Sequence, residues 1–180
     1  MSRTIQDRIA IIAAAGIALL AAATFALPAR AEIHCTIAPT LGITDVLGMP
    51  SAVTTMTGPA ADRDIADATT TTCNYTGGTG TIVLSVIELP SPASARAALT
   101  RVLVAMRLKD EEDANASHIE VEAASGLGER AFSGVTARTA GYAALKGARI
   151  LIIGASGPDL SPEALKPKVR SLMTTVLGKL

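Results

Sequence analysis

The apolar positions of this chain fall into distinct patterns, and each predicts a different element. From Ile9 to Leu27 no charge interrupts the run. Thr81 to Leu89 (TIVLSVIEL) and Ala148 to Ala155 (ARILIIGA) are short, apolar and β-branched, which predicts buried strands. His118, Glu120 and Glu122 alternate with Ile119, Val121 and Ala123, the period of a half-buried strand. Leu99, Val102, Leu103 and Met106 recur at the spacing of one helical face, and so do Leu165, Val169, Leu172, Met173, Val176 and Leu180.

Turn and cap residues divide these patterns into units. Ser91-Pro92 and Ser161-Pro162 each place a capping hydroxyl before a proline whose missing N–H costs a first turn nothing, so each opens a long helix. The first of these ends at Asp110-Glu111-Glu112-Asp113, where negative charge meets the negative pole of the helix. Thr40 to Gly48 reads as a short N-terminal helix with a glycine stop before Pro50. Ser51 to Gly58 and the Thr69 to Thr72 run leading into Cys73 and Tyr75 are extended. Gly77-Gly78-Thr79-Gly80 and Lys146-Gly147 are hairpin turns, and Gly126-Leu127-Gly128 is a third turn. Tyr75, turn, strand, Ser-Pro and helix are echoed by Tyr142, turn, strand, Ser-Pro and helix, the outline of a possible internal duplication. The expected fold is α+β: one antiparallel sheet with both long helices packed on a single face, plus the short N-terminal helix.

The uncharged front changes the picture of the compartment. Arg3 and Arg8, the apolar run, Pro28 and then Ala29-Arg30-Ala31 follow the order of a secretory signal peptide, giving a leader over 1–31 and a single exported domain over 32–180. A retained membrane anchor is the alternative, since the run approaches the roughly 20 residues that cross a bilayer. Glu32, Ile33 and His34 precede Cys35, so that thiol lacks the small neighbour a lipid-attachment site requires. Cleavage leaves no stable membrane span and places the protein in the periplasm or outside the cell. Cys35 and Cys73 are then expected to pair, because an even count of cysteines in an oxidising compartment favours a bridge. Such a bridge contributes roughly 4 kcal/mol in the chain-entropy model. It supports a core that has no Trp and, past the leader, only Tyr75, Tyr142 and Phe132 as aromatics.

Charge narrows the partners. Sixteen basic and sixteen acidic residues balance over the full chain, and loss of Arg3, Arg8, Arg30 and Asp7 with the leader leaves a net charge of about −2. A nearly neutral body is a poor trap for nucleic acid or anionic membrane. Candidate chemistry is sparse. His118, Glu120 and Glu122 point the same way along a strand, a weak candidate for a divalent metal, although a solvated strand face has the same composition. Asp62, Asp64 and Asp67 resemble the start of a calcium loop but have Ala66 and no turn glycine after them. Gly126 to Ala131 spells G-x-G-x-x-A without the long helix or the acidic residue that a dinucleotide needs, and Gly154-Ala155-Ser156-Gly157 has Pro158 where a nucleophile elbow ends in glycine. Arg96, Arg101 and Arg107 on one helix, and Lys166, Lys168 and Arg170 on the other, read as wet faces or as a surface for an acidic partner. No motif calls for a cofactor.

Val46-Leu47-Gly48 after a cysteine, Cys73-x-Tyr75, an apolar strand, an Ala-rich helix, Gly126-Leu127-Gly128 with Glu129 and Ala131, and Lys146-Gly147 running into Ile150 to Ile153 form an ordered set. The set resembles the secreted Cys/Cys domains of unknown function found among mycobacterial lipoproteins and kinase sensor regions. That resemblance implies an extracytoplasmic binding or sensing module and carries over no catalytic residues. The leading expectation is thus a non-enzymatic module for a small molecule or an envelope protein. Two alternatives stand beside it: a metal-assisted hydrolase using His118 and nearby carboxylates, and an envelope structural protein that self-associates through an exposed sheet.

Overall fold

The computed structural model describes residues 35–48, 52–59, 67–78, 80–112, 120–136, 138–157 and 161–180, all within the compact unit Ile33–Leu180. The expected leader over 1–31, and with it His34, Asp62, Asp64 and His118, lies outside the described residues. A turn of 3-10 helix, Cys35–Ile37, leads into α1 (Thr40–Leu47), then β1 (Ala52–Pro59), β2 (Thr69–Gly77), β3 (Gly80–Glu88) and α2 (Pro92–Glu112). There follow β4 (Glu120–Ala124), β5 (Arg130–Val135), β6 (Thr139–Lys146), β7 (Arg149–Ser156) and α3 (Pro162–Lys179). The seven strands form one antiparallel sheet in the order β1-β2-β3-β7-β6-β5-β4.

Local chemistry accounts for the element ends. The Ser91 hydroxyl accepts from the Ser94 amide at 3.1 Å, and the Ser161 hydroxyl accepts from the Ala164 amide at 3.3 Å, so both Ser-Pro starts are capped helices. Gly48 closes α1 in the left-handed conformation, its amide donating to the Thr44 carbonyl at 2.7 Å. At the far end of α3, Lys146 Nζ donates to the Leu177 carbonyl at 2.6 Å and Arg149 donates to the Leu180 carbonyl at 2.9 Å. Two cations from the β6–β7 hairpin therefore meet the negative pole of the last helix and fix it to the sheet.

The two long helices do not share a face, which corrects the arrangement expected from sequence. Tyr142 and Ala144 of β6, and Leu151, Ile153 and Ala155 of β7, pack with α1 and with Leu165, Val169, Leu172, Met173 and Val176 of α3. The residues between them, Ala143 and Leu145 of β6 and Ile150 and Ile152 of β7, pack with Ala95, Ala98, Leu99 and Leu103 of α2. Successive strand residues point to opposite sides, so α2 and α3 lie on opposite sides of the sheet. The reason is visible in the strand sequence. An uninterrupted Ile150-Leu151-Ile152-Ile153 cannot leave one side wet, and a one-sided sheet would have shown alternation there. A two-fold duplication of strand and helix is also excluded, because an axis relating the antiparallel neighbours β3 and β7 stands normal to the sheet and would keep both helices on one side.

The turn at Gly126-Leu127-Gly128-Glu129 is structural. Leu127 is buried in the core, the Glu129 amide donates to the Leu145 carbonyl at 2.8 Å, and a Glu129 carboxylate oxygen accepts from the Gly147 amide at 2.7 Å. Gly128 has φ +60°, and a Cβ on it would collide with the Leu145 carbonyl oxygen. Gly147 has φ +58° with open space around it. Urea unfolding should therefore separate them: Gly147→Ala costs about 1 kcal/mol for the left-handed backbone alone, whereas Gly128→Ala costs about 3 kcal/mol or more because the backbone must also move. Equal losses would show that the Gly128 contact is not constraining.

Candidate functional site

Among the described residues lies a partly open cavity whose construction follows from strand register. On the side of the sheet that faces α2, Gly134 of β5 stands opposite Gly141 of β6, and Gly141 stands opposite Gly154 of β7. Three adjacent strands present no side chain at the same level. Above that row opens a cavity of about 200 Å³, walled by Leu103 from α2, Val121 from β4, Phe132 from β5 and Ile152 from β7. Thr136, in the β5–β6 turn, and Thr139, at the start of β6, also line it. The lining carries hydroxyls but no charge.

A glycine inside a strand weakens it by roughly 0.5–1 kcal/mol and marks a bulge or a close approach. Gly141 has such a reason, since a Cβ there would lie 3.0 Å from the Ile153 carbonyl oxygen. Gly154 has none. Its backbone is not left-handed, and a Cβ on it would meet nothing within 4 Å. A side chain at 154 would point into open space above β7.

The opposite side of the sheet is locked. Cys35 and Cys73 are joined by a disulfide with Cα atoms 5.6 Å apart, and the Tyr75 hydroxyl donates to the Cys35 carbonyl. Burial pushes the Tyr75 phenol up to about 12. The basic residues of α3, expected as a wet face, are fasteners. Lys166 reaches the Glu122 carboxylate at 2.9 Å, Lys168 donates to the Asp45 carbonyl at 2.8 Å, and Arg170 donates to the Ser125 carbonyl. On α2, Arg96 lies 3.6 Å from Glu129, an exposed pair of small energetic weight.

Glu122 serves Lys166, whose hydrogen bond and charge hold its carboxyl below the usual range. His118 lies outside the described residues, as do the side chains of Glu120, Met106 and Arg107. Among the described residues no three His, Cys, Asp or Glu side chains group as a metal site. Gly154, Ala155 and Ser156 continue β7 as regular strand, so no elbow forms there. The glycine row went unread in the sequence, although Gly134, Gly141 and Gly154 inside strand patterns were the available signal.

The fold is similar to that of the extracellular domain of PknH from Mycobacterium tuberculosis, at 8% identity over 78% of this chain and 90% of that one, with a TM-score of 0.50. Neither a family model nor a curated protein matches the sequence. Among the described residues no helix is long and apolar enough to cross a membrane.

The Tyr75 phenol makes stability depend on alkaline pH. In the unfolded chain it ionises near its ordinary 10.0, and in the folded chain near 12, so the folded state holds its proton longer. The stabilisation is complete below pH 10 and is lost as pH rises through about 12, a loss on the order of 2 kcal/mol. Urea unfolding across that interval should show it, and Tyr75→Phe, which cannot ionise, should lose less than the wild type. Identical losses would acquit Tyr75.

Proposed function

We propose that this chain is an exported, non-catalytic binding module, and that its ligand places an apolar group in the cavity over the glycine row. The observation that carries the reading is Gly154: a mid-strand glycine that serves neither backbone conformation nor packing and leaves an uncharged, apolar-walled space. Export is supported by the leader pattern over 1–31 and by the Cys35–Cys73 disulfide. It is supported too by a neighbour of similar fold that is itself an extracellular domain. At about 200 Å³ the cavity is smaller than the roughly 300–1,000 Å³ that encloses a drug-sized molecule, so it suits one chain or ring of a larger ligand.

A second reading, self-association, draws on β1. Among the described residues its outer edge has no strand partner, its sequence AVTTMTGP has no charge, and Val53 and Met56 are 53% and 58% exposed. Uncharged edges of this kind invite another strand.

Straight-chain alcohols test the cavity directly. Isothermal titration should show affinity rising about fourfold per added methylene until the cavity is full and then levelling, as burial of about 0.8 kcal/mol per CH₂ requires. Gly154→Leu should abolish this binding while leaving the melting temperature unchanged or higher. Absence of binding, or binding indifferent to Gly154→Leu, would refute the assignment. Sedimentation of the same samples over a dilution series reports a dimer if the β1 reading holds.

A further inference from the structure

The strand register continues beyond the glycine row. Gly154 pairs in register with Val83 of β3, Val83 with Asn74 of β2, and Asn74 with Thr54 of β1. All lie on the same side of the sheet, because directly opposed residues share a face. The floor of the cavity at Gly154 is thus the in-register neighbour of the part of the sheet formed by β1, β2 and β3. Val83 is 40% exposed there and Met56 58%, so this part of the face is open.

Its chemistry is uniform. Around Val83 the same face carries Thr72, Asn74, Thr81 and Ser85, with Thr72 and Ser85 hydroxyls 3.1 Å apart. Hydroxyls and an amide offer donors and acceptors together, the requirement for recognising a hydroxylated ring. Val83 and Met56 supply apolar patches between them. The strands themselves put no charge on this face: among the described residues of β1, β2, β3 and β7 only Glu88 and Arg149 are ionic, and they bind each other at 2.9 Å on the opposite side. A phosphate, carboxylate or ammonium head would find no counter-charge on these strands.

We infer that the ligand is a neutral amphiphile of the glycolipid class. Its aliphatic chain enters the cavity over Gly154, and its hydroxylated head lies on the Thr72–Asn74–Thr81–Ser85 face beside Val83. This rests on the reading of the cavity given above and adds the head to it. The cavity's size agrees, since it takes part of a ligand and leaves the remainder on the adjoining sheet.

Titration of the full chain with n-octyl β-D-glucoside, 1-octanol, glucose, octyl sulfate and octyltrimethylammonium, each kept below micelle formation, tests it. The glucoside should bind about tenfold tighter than octanol, the gain of one or two net hydrogen bonds. Glucose alone should not bind measurably, and neither charged octyl compound should exceed octanol. Asn74→Val, a substitution that suits a strand, should bring the glucoside-to-octanol affinity ratio toward one. Equal binding of glucoside and octanol, or tighter binding of a charged compound, would overturn the head assignment and leave the cavity reading standing. No binding by any octyl compound would overturn both.

Discussion

The structure depends on a single constraint: β7 lies between β3 and β6, has no edge of its own, and carries apolar side chains on both of its faces. Hydrogen bonding to two neighbours settles its backbone, but each face still needs a cover. Connectivity provides them. Antiparallel neighbours throughout make β3 and β4 run the same way from opposite flanks of β7, β6 and β5, so the chain between them must cross the sheet, and α2 is that crossing. After β7 comes α3, which covers the second face. Each fully buried Ile or Leu of β7 adds about 1.5–3 kcal/mol, so leaving either face bare would forfeit most of a small domain's stability.

Much of this was legible locally and not globally. Ser91-Pro92, Ser161-Pro162 and Gly48 marked helix ends that the structure keeps, and the Gly77–Gly80 and Lys146-Gly147 turns marked hairpins that it also forms. Leu165, Val169, Leu172, Met173 and Val176 form the buried stripe their spacing indicates. Placement of the helices was different. The pattern shows that a helix has an apolar side, but not which side of the sheet receives it. The continuous runs in β3 and β7 held that information, because they need cover twice. Arg130–Val135, whose Ser133 and Gly134 dilute the apolar signal, is a strand by virtue of its ladder with β6.

The same layout divides the molecule into a rigid side and an accommodating one. On the α3 side the disulfide, Tyr75, the α3 fasteners and the cations at the helix's end tie α1, α3 and the sheet together. On the α2 side, alanines at 95 and 98 pack α2 onto the sheet, while the glycine row further along the strands leaves space and the β1–β3 face stays open. A cavity held by a fixed scaffold on one side and lined by missing side chains on the other is already formed in the protein. Neither a single glycine nor a single strand makes such a cavity. Register across β5, β6 and β7 does, which is why a reading one strand at a time passed over it.

Adjacent alanine substitutions at Ile150 and Leu151 test the two-sided sheet most directly, because the two side chains are equally buried and face opposite helices. Urea unfolding of Ile150→Ala and Leu151→Ala should show each losing about 2–5 kcal/mol. A loss at one position with less than about 1 kcal/mol at the other would mean that one face of β7 is solvated, and the arrangement described would be wrong.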